Sequence, residues 1–128
     1  TGGHELPGDG FFFEPTVLSV PGGPGVPAFD EETFGPVATI TVAADEDEAV
    51  RFANATKFGL GLSVWTRDTA RGTAFARRVV SGAAFINAMV VSDARLPFGG
   101  TKCSGYGREL SVEGMLEFVN TLTYWCST

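Results

Sequence analysis

The chain has 128 residues, of which 44% are hydrophobic and 19% charged, and its formal net charge at pH 7 is −6. This composition is typical of a globular protein and excludes a disordered chain, while the length allows one domain and makes two improbable. The acidic balance excludes nucleic acid as an expected partner, because attraction to phosphates dominates the affinity for nucleic acids.

The apolar stretches disfavour a membrane protein, and the cysteines disfavour a disulfide scaffold or a metal site. The longest weakly polar stretch, residues 79–91, contains Ser81 and Asn87 and is too short and too polar to cross a bilayer. No N-terminal stretch resembles a signal peptide. Cys103 and Cys126 are the only cysteines, and no CxxC motif or Cys/His cluster accompanies them. We therefore expect no metal, no membrane and a reducing, cytoplasmic location.

Two short strands are predicted in the first third of the chain. The first ten residues contain four glycines and one proline and are typical of a loop. A strand is predicted to begin at Thr16, and the β-branched run over residues 36–42 predicts a second strand. Residues 21–27, with three glycines and three prolines, form an irregular surface connection between them.

Helices and strands then alternate. The predicted elements are a helix over 45–56, a strand over 62–66, a helix over 68–80 and a strand over 83–87. Asp45 can cap the first helix, with Glu48 in the capping-box position, and Gly59 is expected to end it. This alternation predicts an α/β fold with a parallel-type βαβ sheet and covering helices.

Beyond residue 87 the pattern becomes a glycine-rich loop followed by a β-prone tail. Residues 93–109 contain one proline and four glycines, and long structured loops of this kind often carry function. A short helix over 112–119 leads into the tail, residues 121–125, which is predicted to be a strand. No partner for this strand follows in the sequence, so something else is expected to cover it.

Residue types alone leave two candidate sites open. Cys103 lies between Lys102 and Ser104, and a neighbouring cation favours a reactive thiolate. An incidental loop cysteine is the favoured interpretation, because no base is positioned in the sequence to serve it and His4 is the only histidine. The acidic run 30–32 is either solvated surface or presents a carboxylate to a sugar hydroxyl.

Four motifs stand in order along the chain. They are GFFFEPT over 10–16, EETFGPV over 31–37, ANATKFGL over 53–60 and PFGGTKCSGYGRE over 97–109. In order and spacing they resemble the C-terminal part of the aldehyde dehydrogenase superfamily over nearly the whole chain. Residues 92–100 and 117–120 are most similar to the succinate-semialdehyde dehydrogenase branch.

The resemblance implies an oxidoreductase that uses NAD or NADP to convert a small-molecule aldehyde, with succinate semialdehyde as a candidate, into a carboxylic acid. In that family a cysteine thiolate attacks the aldehyde, a hydride passes to the nicotinamide, and water activated by a glutamate releases the acid. The match implies that Glu32 hydrogen-bonds the nicotinamide-side ribose and that Phe34 packs beside it. Both contacts would align the ring for hydride transfer.

The same resemblance assigns residues to the substrate side. Phe98 is expected to line the aldehyde pocket, and Val91 and Ser92 fall where the family varies its substrate-pocket lining. Ser92, if it faces inward, could donate to a carboxylate on the substrate. Glu109 resembles a second glutamate that assists proton movement, and pairing with Arg108 or another base is the open alternative.

Departures from the family pattern limit what this chain is expected to do alone. The family's nucleophilic cysteine, general-base glutamate and cofactor domain all lie upstream of the matching region, and Cys103 occupies a variable position. Residues 1–120 are expected to be the C-terminal half of the catalytic domain, and 121–128 a terminal oligomerisation strand, with Leu122 where the family usually has lysine. We expect the isolated chain to be inactive and the full-length protein to be a homo-oligomer. The alternative is a non-catalytic interaction module that pairs through its terminal strand with a full-length relative.

Overall fold

The computed structural model describes all 128 residues and divides them into two compact units. Unit 1 covers Thr1–Thr56 and unit 2 covers Lys57–Thr128. The elements of unit 1 are β1 (Thr16–Ser19), α1 (Pro27–Asp30), β2 (Val37–Ile40) and α2 (Glu46–Ala55). The elements of unit 2 are β3 (Phe58–Gly59), β4 (Gly61–Val64), α3 (Thr69–Ala76), β5 (Ala83–Ile86), β6 (Thr101–Lys102) and α4 (Ser111–Leu116). None of the helices combines the length and the apolar character needed to cross a bilayer.

Unit 1 is organised around one parallel strand pair. β1 and β2 run parallel, with Thr16 opposite Val37 at one end of the register and Ser19 opposite Ile40 at the other. The short helix α1 lies between these strands in sequence, and its first residue is a proline, which suits a position whose N–H has no helical partner.

The apolar core of unit 1 is small. Its buried hydrophobic side chains are Val20, Val50 and Phe52. Phe29 of α1 contacts the Phe52 ring edge-on, with the ring centroids 6.2 Å apart, so the core joins the two helices of the unit. The apolar residues of α2 thus provide most of what this unit buries.

Both of the longer helices begin at an aspartate cap, and the cap predicted at Asp45 is confirmed. The Asp45 carboxylate accepts the Glu48 N–H at 2.8 Å, and Asp68 accepts the Arg71 N–H at 3.0 Å. These bonds satisfy amide groups that have no partner within the first helical turn. The Glu48 carboxylate in turn accepts the Ala44 N–H at 2.8 Å, one residue earlier than a standard capping box.

Unit 2 contains a βαβ element and a small antiparallel pair. β4 and β5 are parallel, with α3 between them in sequence and packed against both strands. β3 and β6 are antiparallel, with Phe58 opposite Lys102 and Gly59 opposite Thr101. The mixed α/β class with parallel strand pairs is therefore confirmed, although the strands form three separate pairs instead of one sheet.

Several boundaries differ from the sequence-based expectation. α3 ends at Ala76 and not at Val80, because the following amides of Arg78 and Val79 donate to carbonyls three residues back in tighter turns. Gly59 does not end α2 but lies within β3, and α1 was not predicted.

The two chain ends also differ from expectation. Within the first ten residues, Glu5 forms an antiparallel bridge to Phe13, so this loop folds back on the chain. Residues 121–125 lie in no strand, because no other segment of the chain pairs with them. The expected role of residues 121–128 in oligomerisation, and with it the boundary at 120, stays a prediction.

Candidate functional site

The glycine-rich loop of unit 2 closes on itself through one isolated bridge. The Phe98 N–H donates to the Glu109 carbonyl at 2.9 Å, and the Glu109 N–H donates to the Phe98 carbonyl at 2.8 Å. Two of the predicted site residues, eleven positions apart, are thereby held directly opposite each other. Their pairing gives the loop between them a fixed base.

The tip of this loop is fastened to β3. The Ser104 hydroxyl accepts the Gly59 N–H at 2.9 Å, and the Thr101 hydroxyl donates to the Gly59 carbonyl at 3.1 Å. The Cys103 N–H donates to the Lys57 carbonyl at 3.0 Å. Cys103 is exposed, and its thiol forms no disulfide. These contacts give residue 103 a backbone role in docking the loop.

A cleft of about 390 Å³ lies against the folded loop. Both Phe98 and Glu109 line it, so the structure brings these two predicted residues together in one concave site. Its remaining lining residues are Leu60, Gly99, Gly100, Ser104, Tyr106, Gly107, Arg108 and Glu117. A cleft with an aromatic ring and a few polar groups has the general character of a small-molecule site.

The Arg108 guanidinium shapes one wall of the cleft. Its Nη1 donates to the Gly100 carbonyl at 2.9 Å and to the Gly107 carbonyl at 2.6 Å. The guanidinium is engaged with these backbone carbonyls and makes no contact with the Glu109 carboxylate. The alternative in which Glu109 pairs with Arg108 is therefore not observed. The Glu109 residue is exposed at the cleft.

Sequence reasoning missed Glu117 as a member of this cleft. Its carboxylate accepts the Arg108 N–H at 3.3 Å from a position just beyond α4. Gly107, with φ of 75°, brings the loop backbone close to this carboxylate. No local signal marks this contact, because it depends on how α4 follows the loop.

Val91 and Ser92 are not among the residues that line the cleft. Both are exposed and lie between β5 and Phe98, in residues 88–97, which we call the connecting segment. Asn87 anchors its start: the side-chain amide donates to the Thr66 carbonyl and accepts the Thr66 N–H, both at 2.8 Å. The segment therefore leaves β5 from a fixed point at the carboxyl end of a parallel strand pair, where α/β proteins commonly bind ligands.

A β-turn within the connecting segment contains a carboxylate whose pKa is strongly lowered. Asp93 accepts from Arg95 Nε at 2.9 Å and Nη2 at 2.7 Å. These bonds and the Arg95 backbone N–H lower the pKa of Asp93 from 3.8 to about 2. Any contribution of this pair to the folded state is thus complete above about pH 4 and is lost as the pH falls through about 2.

The remaining predicted residues, Glu32 and Phe34, lie in unit 1 on the loop between α1 and β2. Of the acidic run, Asp30 is used locally, since it accepts the Gly25 N–H at 2.9 Å. Glu32 is exposed, and its carboxylate has no partner in the chain. A free carboxylate of this kind suits a pair of ribose hydroxyl donors, as expected for a nicotinamide cofactor.

Phe34 presents its ring to solvent in an unusual backbone conformation. The side chain is 92% exposed, and its φ of 49° lies in the left-handed region, which bulky residues rarely adopt. Strain of this kind clusters at ligand contacts, where it fixes the direction of a side chain. Together with the free carboxylate of Glu32, the exposed ring fits a loop that receives a planar ligand.

Comparison with known proteins places the chain in a family. Residues 1–124 match the model of the aldehyde dehydrogenase family. Over 97% of its length the chain is 50% identical to the NADP-dependent succinate-semialdehyde dehydrogenase 1 of Mycobacterium tuberculosis. Over the same share it is 46% identical to the NAD(P)-dependent succinate semialdehyde dehydrogenase of Escherichia coli.

A solved relative has the same fold. The succinic semialdehyde dehydrogenase of Streptococcus pyogenes, determined in complex with NADP+, superposes with a TM-score of 0.88 and is 34% identical over all of this chain. The chain spans 28% of that structure and 27% of the two curated relatives. The family model covers almost every residue, and the chain therefore belongs to the aldehyde dehydrogenase family.

Proposed function

We propose that this chain supplies the C-terminal part of an NAD(P)-dependent aldehyde dehydrogenase that oxidises succinate semialdehyde to succinate. The observation that carries the proposal is the identity of 46–50% to succinate-semialdehyde dehydrogenases over 97% of the chain. The predicted NAD or NADP dependence follows from the same relatives. The nucleophilic cysteine and the general base are supplied by polypeptide outside these residues.

Each unit has its own part in this function. When bound, the nicotinamide cofactor accepts the hydride that leaves the aldehyde carbon. The Glu32 carboxylate accepts hydrogen bonds from the adjoining ribose, and the Phe34 ring packs beside it, so that the two side chains limit rotation of the bound group. In unit 2, Phe98 forms an apolar wall for the aldehyde chain.

Polar side chains of unit 2 complete the substrate side. The Ser92 hydroxyl donates to the distal carboxylate of the substrate, which distinguishes this aldehyde from an uncharged one. Val91 contributes apolar lining beside it. Glu109, exposed at the cleft, takes up and releases the proton that the hydrolytic step frees.

The burial pattern supports a role as one part of a larger enzyme. In unit 2 the buried positions are all glycines: Gly59, Gly72, Gly100 and Gly114. Large apolar side chains remain exposed there, including Tyr106 and Phe118 at 101% and 91%. A unit of this size without a buried apolar side chain needs further polypeptide to cover it.

The isolated chain is expected to show no turnover, because covalent catalysis needs a thiolate that the proposal places elsewhere. The assay follows reduced cofactor formed from NAD+ or NADP+ with succinate semialdehyde. If the isolated chain does show turnover and Cys103→Ser abolishes it, this expectation is wrong and Cys103 is the nucleophile.

A chimera tests the proposal positively. In it, this chain replaces the segment that it matches in the Escherichia coli relative, and the relative without that segment is the negative control. We expect oxidation of succinate semialdehyde by the chimera and none by the control. A folded chimera without turnover would contradict the proposal. Should the chimera fail to fold, grafting residues 87–111 alone into the relative gives the second form of the test.

The alternative function is an interaction module. Residues 117–128 lie outside any helix or strand, and Tyr124 and Trp125 are 91% and 88% exposed. Such a tail suits addition to a strand edge of a full-length relative. Mixed oligomers that form when the chain is added to the intact relative, combined with an inactive chimera, would favour this alternative.

A further inference from the structure

We propose that Asp93 is a positioning residue for aldehyde binding, because its carboxylate fixes the turn that joins Ser92 to Phe98. The proposal rests on the proposed function, in which these two neighbours contact the substrate. It assigns a role to the ion pair between Asp93 and Arg95. In the proposed function, this pair contacts neither the cofactor nor the reacting atoms.

The connecting segment needs an internal restraint. Residues 88–97 lie in no helix or strand, and their ends are held by Asn87 on one side and by the bridge from Phe98 to Glu109 on the other. Ten residues between two anchors can adopt many conformations, and ordering them on binding would cost affinity. A substrate site on such a segment is therefore effective only if something holds the segment beforehand.

Asp93 supplies that restraint through four hydrogen bonds. Its Oδ1 accepts the Arg95 backbone N–H at 2.9 Å, which closes an Asx turn. The same carboxylate accepts both Nε and Nη2 of Arg95 in a fork. Its carbonyl accepts the Leu96 N–H at 2.9 Å, which closes a β-turn over the same residues.

The turn is also tied to the rest of unit 2. The Ser111 N–H, at the start of α4, donates to the Ala94 carbonyl at 3.1 Å. α4 begins directly after Glu109 and Leu110, so this bond connects the turn with the base of the glycine-rich loop. The position of Ser92 and Phe98 is thus coupled to one local structure centred on Asp93.

An exposed ion pair by itself contributes little to stability, because solvent screens it and two side chains lose freedom. Arg95 is 86% exposed, so removal of the pair should leave the chain folded. The effect expected here is on the conformation of the segment and hence on substrate affinity. Because the lowered pKa of Asp93 keeps its carboxylate ionised, this effect should not vary between about pH 5 and pH 9.

The test is a substitution series in the active chimera. Asp93→Ala removes every side-chain bond of the turn and should raise KM for succinate semialdehyde about tenfold. Asp93→Asn keeps an oxygen that can accept the Arg95 N–H, and Arg95→Gln keeps the Asx turn, so both should raise KM about threefold. We expect kcat and the KM for the cofactor to stay within about twofold of the parent. Asp9→Ala, which removes an exposed loop carboxylate, is the control.

Each outcome has one meaning. An unchanged aldehyde KM in Asp93→Ala overturns the proposal. Equal losses in kcat and in cofactor affinity would show a general structural role and also overturn it. If Asp93→Ala does not fold, Asp93→Asn and Arg95→Gln decide by the same criteria. A folded parent chimera without turnover overturns the proposed function, and this inference falls with it, whereas an active parent with unaffected variants overturns this inference alone.

Discussion

Replacing Gly82 with alanine in the chimera is expected to destabilise it by at least about 3 kcal/mol. A Cβ at this position would lie 1.7 Å from the carbonyl oxygen of Gly99 and 3.0 Å from that of Leu60. Both obstacles are backbone atoms, which cannot rotate away as a side chain can. Gly99 and the loop that follows it would therefore have to move away from residues 60 and 82, and the cleft that Leu60 and Gly99 line would change shape.

Urea-induced unfolding of the chimera measures this effect, and aldehyde turnover should fall in parallel. Gly35→Ala is the matched control, since the nearest atom to its Cβ would be 3.9 Å away and its φ is not positive. A midpoint for Gly82→Ala equal to that of the control would contradict the close approach of residues 82 and 99.

Removing the carboxylate of Glu32 should lower kcat of the chimera about tenfold to a hundredfold. Its proposed contact orients the ring that receives the hydride, so the loss should fall on the chemical step more than on the aldehyde KM. Glu32→Ala removes the acceptor, and Glu32→Gln, which keeps one acceptor oxygen without the charge, should lie between it and the parent.

Glu31→Ala is the control, because Glu31 is also an exposed acid beside Glu32. Steady-state rates with NAD+ and with NADP+ at saturating aldehyde decide the question. Equal rates for Glu31→Ala and Glu32→Ala would contradict the assignment of Glu32 to the cofactor.

Local chemistry explains why some elements were predictable. Asp45 and Asp68 each precede an apolar periodic run, and an acidic side chain there caps exposed amides whatever the rest of the fold does. The strand that begins at Thr16 could also be predicted, because the preceding proline limits where the hydrogen bonding of a strand can start. These features depend on residues a few positions apart.

Features that depend on distant partners were not predictable in the same way. Gly59 reads locally as a helix stop, yet its backbone pairs with Thr101 in β6 and receives Ser104. The tail over 121–125 has strand propensity but no partner strand in the chain, and propensity alone does not form a strand. Glu117 enters the cleft only through the path of the chain after the glycine-rich loop.

The residues of the candidate site differ in how far the sequence alone predicts them. Phe98 and Glu109 came from the motif resemblance, and the structure places them opposite each other in one backbone bridge. The sequence did not predict the restraint proposed for Ser92, because a carboxylate two residues before an arginine is typical of two exposed charges on the surface. Its significance appears only when the Asx turn and the contact from Ser111 are seen together.

A crystal structure of the chimera with bound NADP+ tests most directly whether this chain contributes the cofactor contacts of an aldehyde dehydrogenase. We predict the Glu32 carboxylate about 3 Å from the hydroxyls of the nicotinamide-side ribose, with the Phe34 ring against the same sugar. A ribose held by other groups, with both side chains of this loop in solvent, would contradict the account.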